Sequence, residues 1–271
     1  MQSLFDIGGR VVVITGATGV LASSTADYLL KQGAWVVYLG RTQAKLDAVL
    51  EKARRTSEHC MGIACDVLDR PGMEEARKLV LAKWGRVDAL INAAGGNQPG
   101  ATLGPDASFF DLNMDAYNQV ISLNLQGTVI PTMVFGEAMM AGGKGCVINF
   151  SSMAADRALT RVIGYSNAKA AVNNFTQWLA VEFARKTKGG IRVNAIAPGF
   201  FLSDQNRTLL TCEDGSLTAR GQSIIDKTPF GRFGAAHEVH GTIHYLLSDA
   251  AAFVTGVVMP VDGGFSAFSG V

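Results

Sequence analysis

Seven short apolar runs rich in β-branched residues recur along the chain, and helical patterns separate most of them. "RVVVIT" precedes "LASSTADYLLKQG", "AWVVYLG" precedes "AKLDAVLEKARR", and "CMGIACD" precedes "GMEEARKLVLAKWG". "DALINAAG" leads, after a loop, into a long helical segment from Asp115 to Ala141. "GCVINFSS" and "IRVNAIAPG" bracket a helix that begins near Tyr165, and "GVVMPVDGG" closes the series. Uniformly apolar strands alternating with amphipathic helices require a parallel sheet buried on both faces. The predicted fold is therefore α/β: a doubly wound parallel sheet of about seven strands with helices on both faces. No linker, repeat or low-complexity tract interrupts the series, so residues 1–271 read as a single domain. One long irregular insert, about residues 200–234, stands apart from the alternation.

Composition narrows the function classes. Hydrophobic residues make up 48% of the 271 and charged residues 17%, enough to bury a sizeable core. A formal net charge of +1 gives no electrostatic reason to expect nucleic acid or an anionic membrane as partner. No apolar run approaches the ~18 residues of a membrane span. "MQSLFDIGGR" has no basic region followed by an apolar stretch, so a cytoplasmic location is expected. Cys60, Cys65, Cys146 and Cys212 show no paired spacing, and idle thiols in a reducing compartment are the simplest reading. "HEVHGTIHYLL" (His237–Leu247) lacks the HExxH spacing and reads as an ordinary amphipathic helix; no metal is expected.

The first strand runs into "TGATGVLA" (Thr15–Ala22). Gly16 and Gly19, after a strand and opening a helix, allow backbone N–H groups to approach a pyrophosphate closely. Thr18, Val20 and Leu21 complete that turn, and Ala22 supplies a small residue for tight helix–strand packing. A dinucleotide cofactor is the expected ligand. Its ribose would meet an acidic residue about 20 positions on, but Gly40 followed by Arg41 stands there. A guanidinium without a neighbouring carboxylate suits a 2′-phosphate, which favours NADP(H) over NAD(H). A solvated loop charge is the alternative reading of Arg41.

"YSNAK" places Tyr165 and Lys169 four residues apart, on one helical face and about 6 Å from each other. A phenol titrates near ~10 and is a poor proton shuttle at neutral pH. An ammonium roughly 4 Å away, at an effective dielectric of ~20, would be worth on the order of 4 kcal/mol, or about three pKa units. That reading expects Lys169 to bring Tyr165 toward the range of a general acid or base, with the positive ring of an oxidised nicotinamide tuning it further.

Together, the glycine-rich turn, "CDV" (Cys65–Val67), "NAAG" (Asn92–Gly95), Asn124, the paired serines Ser151–Ser152, "YSNAK" and "PG" (Pro198–Gly199) fall in the order of classical short-chain dehydrogenases/reductases, which this protein resembles over essentially its whole length. The resemblance implies a Rossmann-like domain and a catalytic tetrad of Asn124, Ser152, Tyr165 and Lys169. It also implies cofactor contacts at Asp66 and Val67 with the adenine, Asn92 near the adenosine ribose, and Ala93, Ala94, Gly95, Pro198 and Gly199. Tyr165 and Lys169 would face the nicotinamide ribose, and Asn124 would hold a water that restores the proton. One departure is visible: TGxxGxxA replaces the usual TGxxxGxG. The resemblance further implies a homotetramer, although twofold closure into a dimer satisfies the same symmetry.

The loops expected at the carboxyl ends of the strands are polar: "GGNQPG", "MAADRALTRV" and "GFFLSDQNRTLL". An apolar substrate would leave such groups unpaired, whereas a small polyhydroxylated acid would use them. "SFFDL", "SSMAA", "APGFFLSDQNRTLL" and "VDGGFSAFSGV" resemble a narrower group within that family, the D-mannonate oxidoreductases (fructuronate reductases), implying a sugar-acid or keto-acid substrate. Asn97, Ser152, Arg157, Gln205, Asn206 and Arg207 are the candidate substrate contacts, and the insert is read as a lid. Gluconate 5-dehydrogenase, a 3-oxoacyl-thioester reductase and a non-catalytic cofactor sensor remain the alternatives.

Overall fold

The computed structural model describes residues 3–203 and 206–270. Its seven strands are β1 (Val11–Thr15), β2 (Trp35–Gly40), β3 (Cys60–Ala64), β4 (Ala89–Asn92), β5 (Gly145–Phe150), β6 (Ile191–Pro198) and β7 (Val258–Val261). All pair in parallel, in the order β3-β2-β1-β4-β5-β6-β7. The helices are α1 (Val20–Lys31), α2 (Gln43–Arg54), α3 (Arg70–Trp84), α4 (Met114–Ile121), α5 (Gly127–Gly142), α6 (Ile163–Thr187), α7 (Arg207–Leu210), α8 (Ala219–Asp226) and α9 (His240–Leu247). None among the described residues is long and apolar enough to cross a membrane.

Side chains alternate across the sheet and divide the core in two. Val12 and Ile14 pack with Leu29 of α1, Leu46 of α2 and Leu246 of α9. Val11 and Val13 face the other way, with Met73 of α3, Phe135 of α5 and Leu179 of α6. Every residue of β1 is fully buried, which is why that strand reads as an unbroken apolar run. His240 and His244 pin α9 to α1 through Ser24 and the Tyr28 hydroxyl, consistent with a structural helix.

Strand order reverses between β1 and β4, and a doubly wound sheet opens its ligand crevice at that point. Here Thr15 and Asn92 pair at the strand ends. The Thr15 hydroxyl accepts from both Ala93 and Ala94 N–H groups at 3.1 Å, holding the backbone as it leaves β4. Below it runs a buried polar thread. Asn92 Nδ2 donates to Asn149 Oδ1 (2.9 Å) and Thr132 Oγ1 (2.8 Å), and Asn149 Nδ2 donates to Thr176 Oγ1 (2.9 Å).

One segment differs from the sequence reading. The stretch from Asp115 to Ala141 is not one regular helix: a wide π turn, Ser122–Gln126, separates α4 from α5. Pro131, inside α5, cannot donate to the carbonyl one turn back, so the strain of this segment is visible in the sequence although its form is not. The insert is closed at its base by a bridge between Phe201 and Gly234. A Cβ on Gly234 would come within 2.5 Å of the Phe201 ring, so the bridge requires glycine there. The insert itself carries α7 and α8.

Replacing Asn149 by Ala leaves the Asn92 and Thr176 groups without their partner inside the core. We expect a loss of about 2–5 kcal/mol in urea unfolding. A loss below about 0.5 kcal/mol would show that the polar thread does not hold these elements together.

Candidate active site

The π turn places Asn124, fully buried, beneath the loop that leaves β4. Its Nδ2 donates to the carbonyls of Gly96 (2.7 Å) and Val120 (2.8 Å), and its Oδ1 accepts from Gly96 N–H (3.0 Å). The expected role of holding a water is therefore corrected for the side chain. Each of its polar groups is engaged by backbone, and what Asn124 does is clamp the Gly95–Gly96 turn. A Cβ on Gly95 would meet Asn124 Oδ1 at 2.5 Å and Lys169 Nζ at 3.3 Å, so the turn, the clamp and the lysine are pressed together.

Ser152 follows β5, and its Oγ accepts from Ala154 N–H at 3.1 Å. Tyr165 lies in the first turn of α6, packed against Ala101, Ala116 and Val120 of the facing loop and α4. The Ser152 side chain lies close enough to its hydroxyl to favour the phenolate form. Lys169, one turn on and 4% exposed, donates from Nζ to the Phe150 carbonyl at 2.7 Å. Its ammonium sits 5.6 Å from the centre of the Tyr165 ring. Asn124, Ser152, Tyr165 and Lys169 thus converge at the carboxyl ends of β4 and β5.

The electrostatics differ from the sequence expectation. Burial raises the Tyr165 phenol above its ordinary value of 10.0, and the nearby Ser152 side chain only partly opposes that. Burial also lowers Lys169 from 10.5 to about 8. The ammonium is itself stripped of water and turned toward a carbonyl, so the protein alone leaves the tyrosine unacidified.

At the other end of the crevice, Gly16 has φ +63°, and a Cβ there would lie 2.7 Å from the Ala94 Cα. Only glycine lets the first turn approach the β4 exit so closely. Gly19 begins α1 with no side-chain cap, which leaves the first-turn N–H groups, near Val20 and Leu21, without a side-chain acceptor. This cradle fits a pyrophosphate. Thr18 packs toward Gly40, where a Cβ would meet Thr18 Cγ2 at 3.2 Å and Leu46 Cδ2 at 3.4 Å, so Gly40 has a packing reason of its own. Arg41 is exposed and 3.9 Å from Asp66 Oδ2, while Asp66 Oδ1 accepts from Leu68 N–H. Val67 is buried against Gly127. Gly199 donates its N–H to Val261 O, and a Cβ there would lie 2.7 Å from Asp262 Cα.

Several assignments change. The Asn92 side chain is 1% exposed and tied into the polar thread, so it does not reach outward to a ribose. Arg157 is exposed and donates to the Ser266 carbonyl, tethering the carboxyl-terminal segment. Asn206 accepts from Ser203 N–H (2.8 Å) and donates to Phe201 O (2.9 Å), so it staples its own loop. Both are expected at the substrate from the sequence, and both side chains are instead occupied by backbone. Arg207 is exposed, and Gln205 lies outside the described residues. Asn97 donates to Thr102 Oγ1 at 2.8 Å, yet its Oδ1 is buried without a partner. Thr15 and Asn149 escape a sequence reading because a Thr or Asn inside an apolar run shows no outward sign of its partners. Two cavities, about 580 and 320 Å³, lie along the insert and are not lined by the tetrad.

The fold and this convergence of hydroxyls, amine and glycine cradle define a dinucleotide-binding oxidoreductase class. A family profile described as enoyl-(acyl carrier protein) reductase matches residues 16–266. The sequence is 43% identical over 275 residues to the uncharacterized oxidoreductase UxuB of Bacillus subtilis (strain 168), covering 98% of each. A solved structure of a provisionally named D-mannonate oxidoreductase from Haemophilus influenza, with bound NAD, is 40% identical with a TM-score of 0.91. The match covers 99% of this protein and 100% of that one. A gluconate 5-dehydrogenase from Burkholderia cenocepacia J2315, in complex with NADP and tartrate, is 28% identical with a TM-score of 0.86, covering 97% and 98%. The protein belongs to the short-chain dehydrogenase/reductase family and is a dehydrogenase/reductase enzyme.

Because the unfolded protein binds a proton at Lys169 between pH 8 and 10.5 that the folded protein does not, this group makes stability rise with pH across that window. Lys169→Met should remove that rise and raise Tm at pH 7 by roughly 2–6 °C, while abolishing activity. A lower Tm with the pH slope retained would contradict the burial of a strained cation.

Proposed function

We propose that the protein interconverts the ketone and secondary alcohol of a small sugar acid, of the fructuronate/D-mannonate kind, with a nicotinamide coenzyme, NADP(H) in preference to NAD(H). The observation that carries this reading is the convergence of Ser152, Tyr165 and buried Lys169 at the crevice of the doubly wound sheet. Bound there, the coenzyme supplies the hydride and, in its oxidised form, a positive ring beside the phenol. Ser152 and Tyr165 donate hydrogen bonds to the substrate oxygen as negative charge grows on it. Tyr165 then passes its proton to that oxygen, and Lys169 holds the phenolate. Asn124 and Thr15 act at one remove, by fixing the loop that walls the site.

The insert over residues 200–234 serves as a lid, and Asn97, Gln205 and Arg207 are kept as the candidate substrate contacts. Met133 on α5 and Trp178 and Val181 on α6 expose apolar surface, which supports pairing of these helices in a homotetramer. Arg41 supports the NADP(H) preference, partly offset by Asp66 at 3.9 Å. The relatives' names favour polyol and sugar-acid chemistry over acyl thioesters, which leaves gluconate-type oxidation as the second reading.

A panel of keto-uronates, ketogluconates and acetoacetyl thioesters, assayed with NADPH and NADH, separates these. We expect turnover with a sugar acid, lost by about 1000-fold or more in Tyr165→Phe. In Arg41→Ala, kcat/KM should fall about tenfold for NADPH and little for NADH. Turnover of thioesters alone would overturn the substrate class, and tight coenzyme binding without any turnover would favour a sensor.

A further inference from the structure

Two arginines that are not among the candidate substrate contacts meet where the insert touches the loop before the active-site helix. Arg161 lies four residues ahead of Tyr165 and holds φ +77°, in the left-handed region that a long side chain adopts only under constraint. The constraint comes from both sides. Its carbonyl accepts from Leu103 N–H at 3.0 Å, from the loop that also carries Asn97. Its neighbour Thr160 receives Arg220 of α8 twice, at Oγ1 and at the carbonyl, both at 3.4 Å. The insert is thereby drawn onto the loop that leads into Tyr165.

Neither guanidinium has an acidic partner among the described residues, as is also true of Arg54, Arg157, Arg185, Arg192 and Arg207. Arg220 is half-buried, and burial first, then the nearby Arg161 cation, disfavours its charged form. Bringing two like charges together away from bulk water is unfavourable unless an anion joins them. Planar guanidinium forks match a carboxylate or a phosphate bidentately, and the sugar-acid reading supplies the carboxylate. Asn97 Oδ1, buried and unpartnered on the adjoining loop, adds an acceptor suited to a hydroxyl.

We infer that Arg161 and Arg220 form the subsite that binds the carboxylate of the substrate, with Asn97 receiving a hydroxyl beside it. This deepens the sugar-acid reading above and rests on it. It also gives the insert a reason to close: the carboxylate joins α8 to the loop ahead of Tyr165 and so carries the lid onto the site.

The test uses the full-length protein with oxidised coenzyme. Binding of D-gluconate and of uncharged D-sorbitol is measured by calorimetry for the wild type, Arg161→Ala, Arg220→Ala and Arg220→Lys, beside KM and kcat for a keto-uronate and for D-fructose. We expect each alanine variant to weaken gluconate binding and raise the keto-uronate KM by about tenfold or more, with sorbitol, fructose and kcat little changed. Arg220→Lys should recover part of the loss. Equal effects on charged and uncharged ligands, unchanged gluconate binding in the variants, or no gluconate binding by the wild type would overturn the subsite. If the wild type reduces no keto-uronate but gluconate binding still depends on both arginines, the sugar-acid reading fails while the carboxylate subsite stands.

Discussion

Everything at this site depends on a lysine held out of water. Lys169 donates to the Phe150 carbonyl from the interior of α6, and burial brings its amine down to about 8. A cation in such a place is unfavourable and persists only where the surrounding fold over-determines it. Here the surroundings are the ends of β4 and β5, the clamp of Asn124 on Gly96 and the thread from Asn92 through Asn149 to Thr176. That scaffold leaves the lysine no alternative arrangement. It also removes water from around Tyr165, so that hydrogen bonds from Ser152 and Tyr165 act in a low-dielectric setting.

The same burial raises Tyr165 rather than lowering it. A single ammonium 5.6 Å from the ring does not outweigh the loss of hydration. Proton transfer is thus conditional on further positive charge in the crevice, which ties the chemistry to the presence of the oxidised ring.

Much of this is legible in the amino-acid order. Seven β-branched runs separated by helical periods specify a parallel sheet covered on two faces, because no other arrangement buries strands like Val11–Thr15 on both sides. Gly16 and "YSNAK" mark the two ends of the crevice because glycine at positive φ and a tyrosine–lysine pair at helical spacing have few other uses in combination. The side-chain assignments in the loops are harder to read. Arg157 and Asn206 look like substrate contacts in sequence, yet they are engaged by backbone carbonyls and N–H groups, which a sequence does not display. Arg161 and Arg220 are 59 positions apart in sequence, and only the folding of the insert brings them near each other. The π turn at Asn124 escapes notice for a related reason: its residues, Ser122–Gln126, are compatible with an ordinary helix.

The central claim is that this tyrosine becomes a usable acid only when a second cation joins Lys169. Ultraviolet titration of tyrosinate, taken as the difference between the wild type and Tyr165→Phe, measures it directly. The account predicts that Tyr165 alone titrates above its ordinary value and that saturation with oxidised coenzyme lowers it by at least about two units. A phenol already acidic in the free protein, or one indifferent to the oxidised coenzyme, would contradict it.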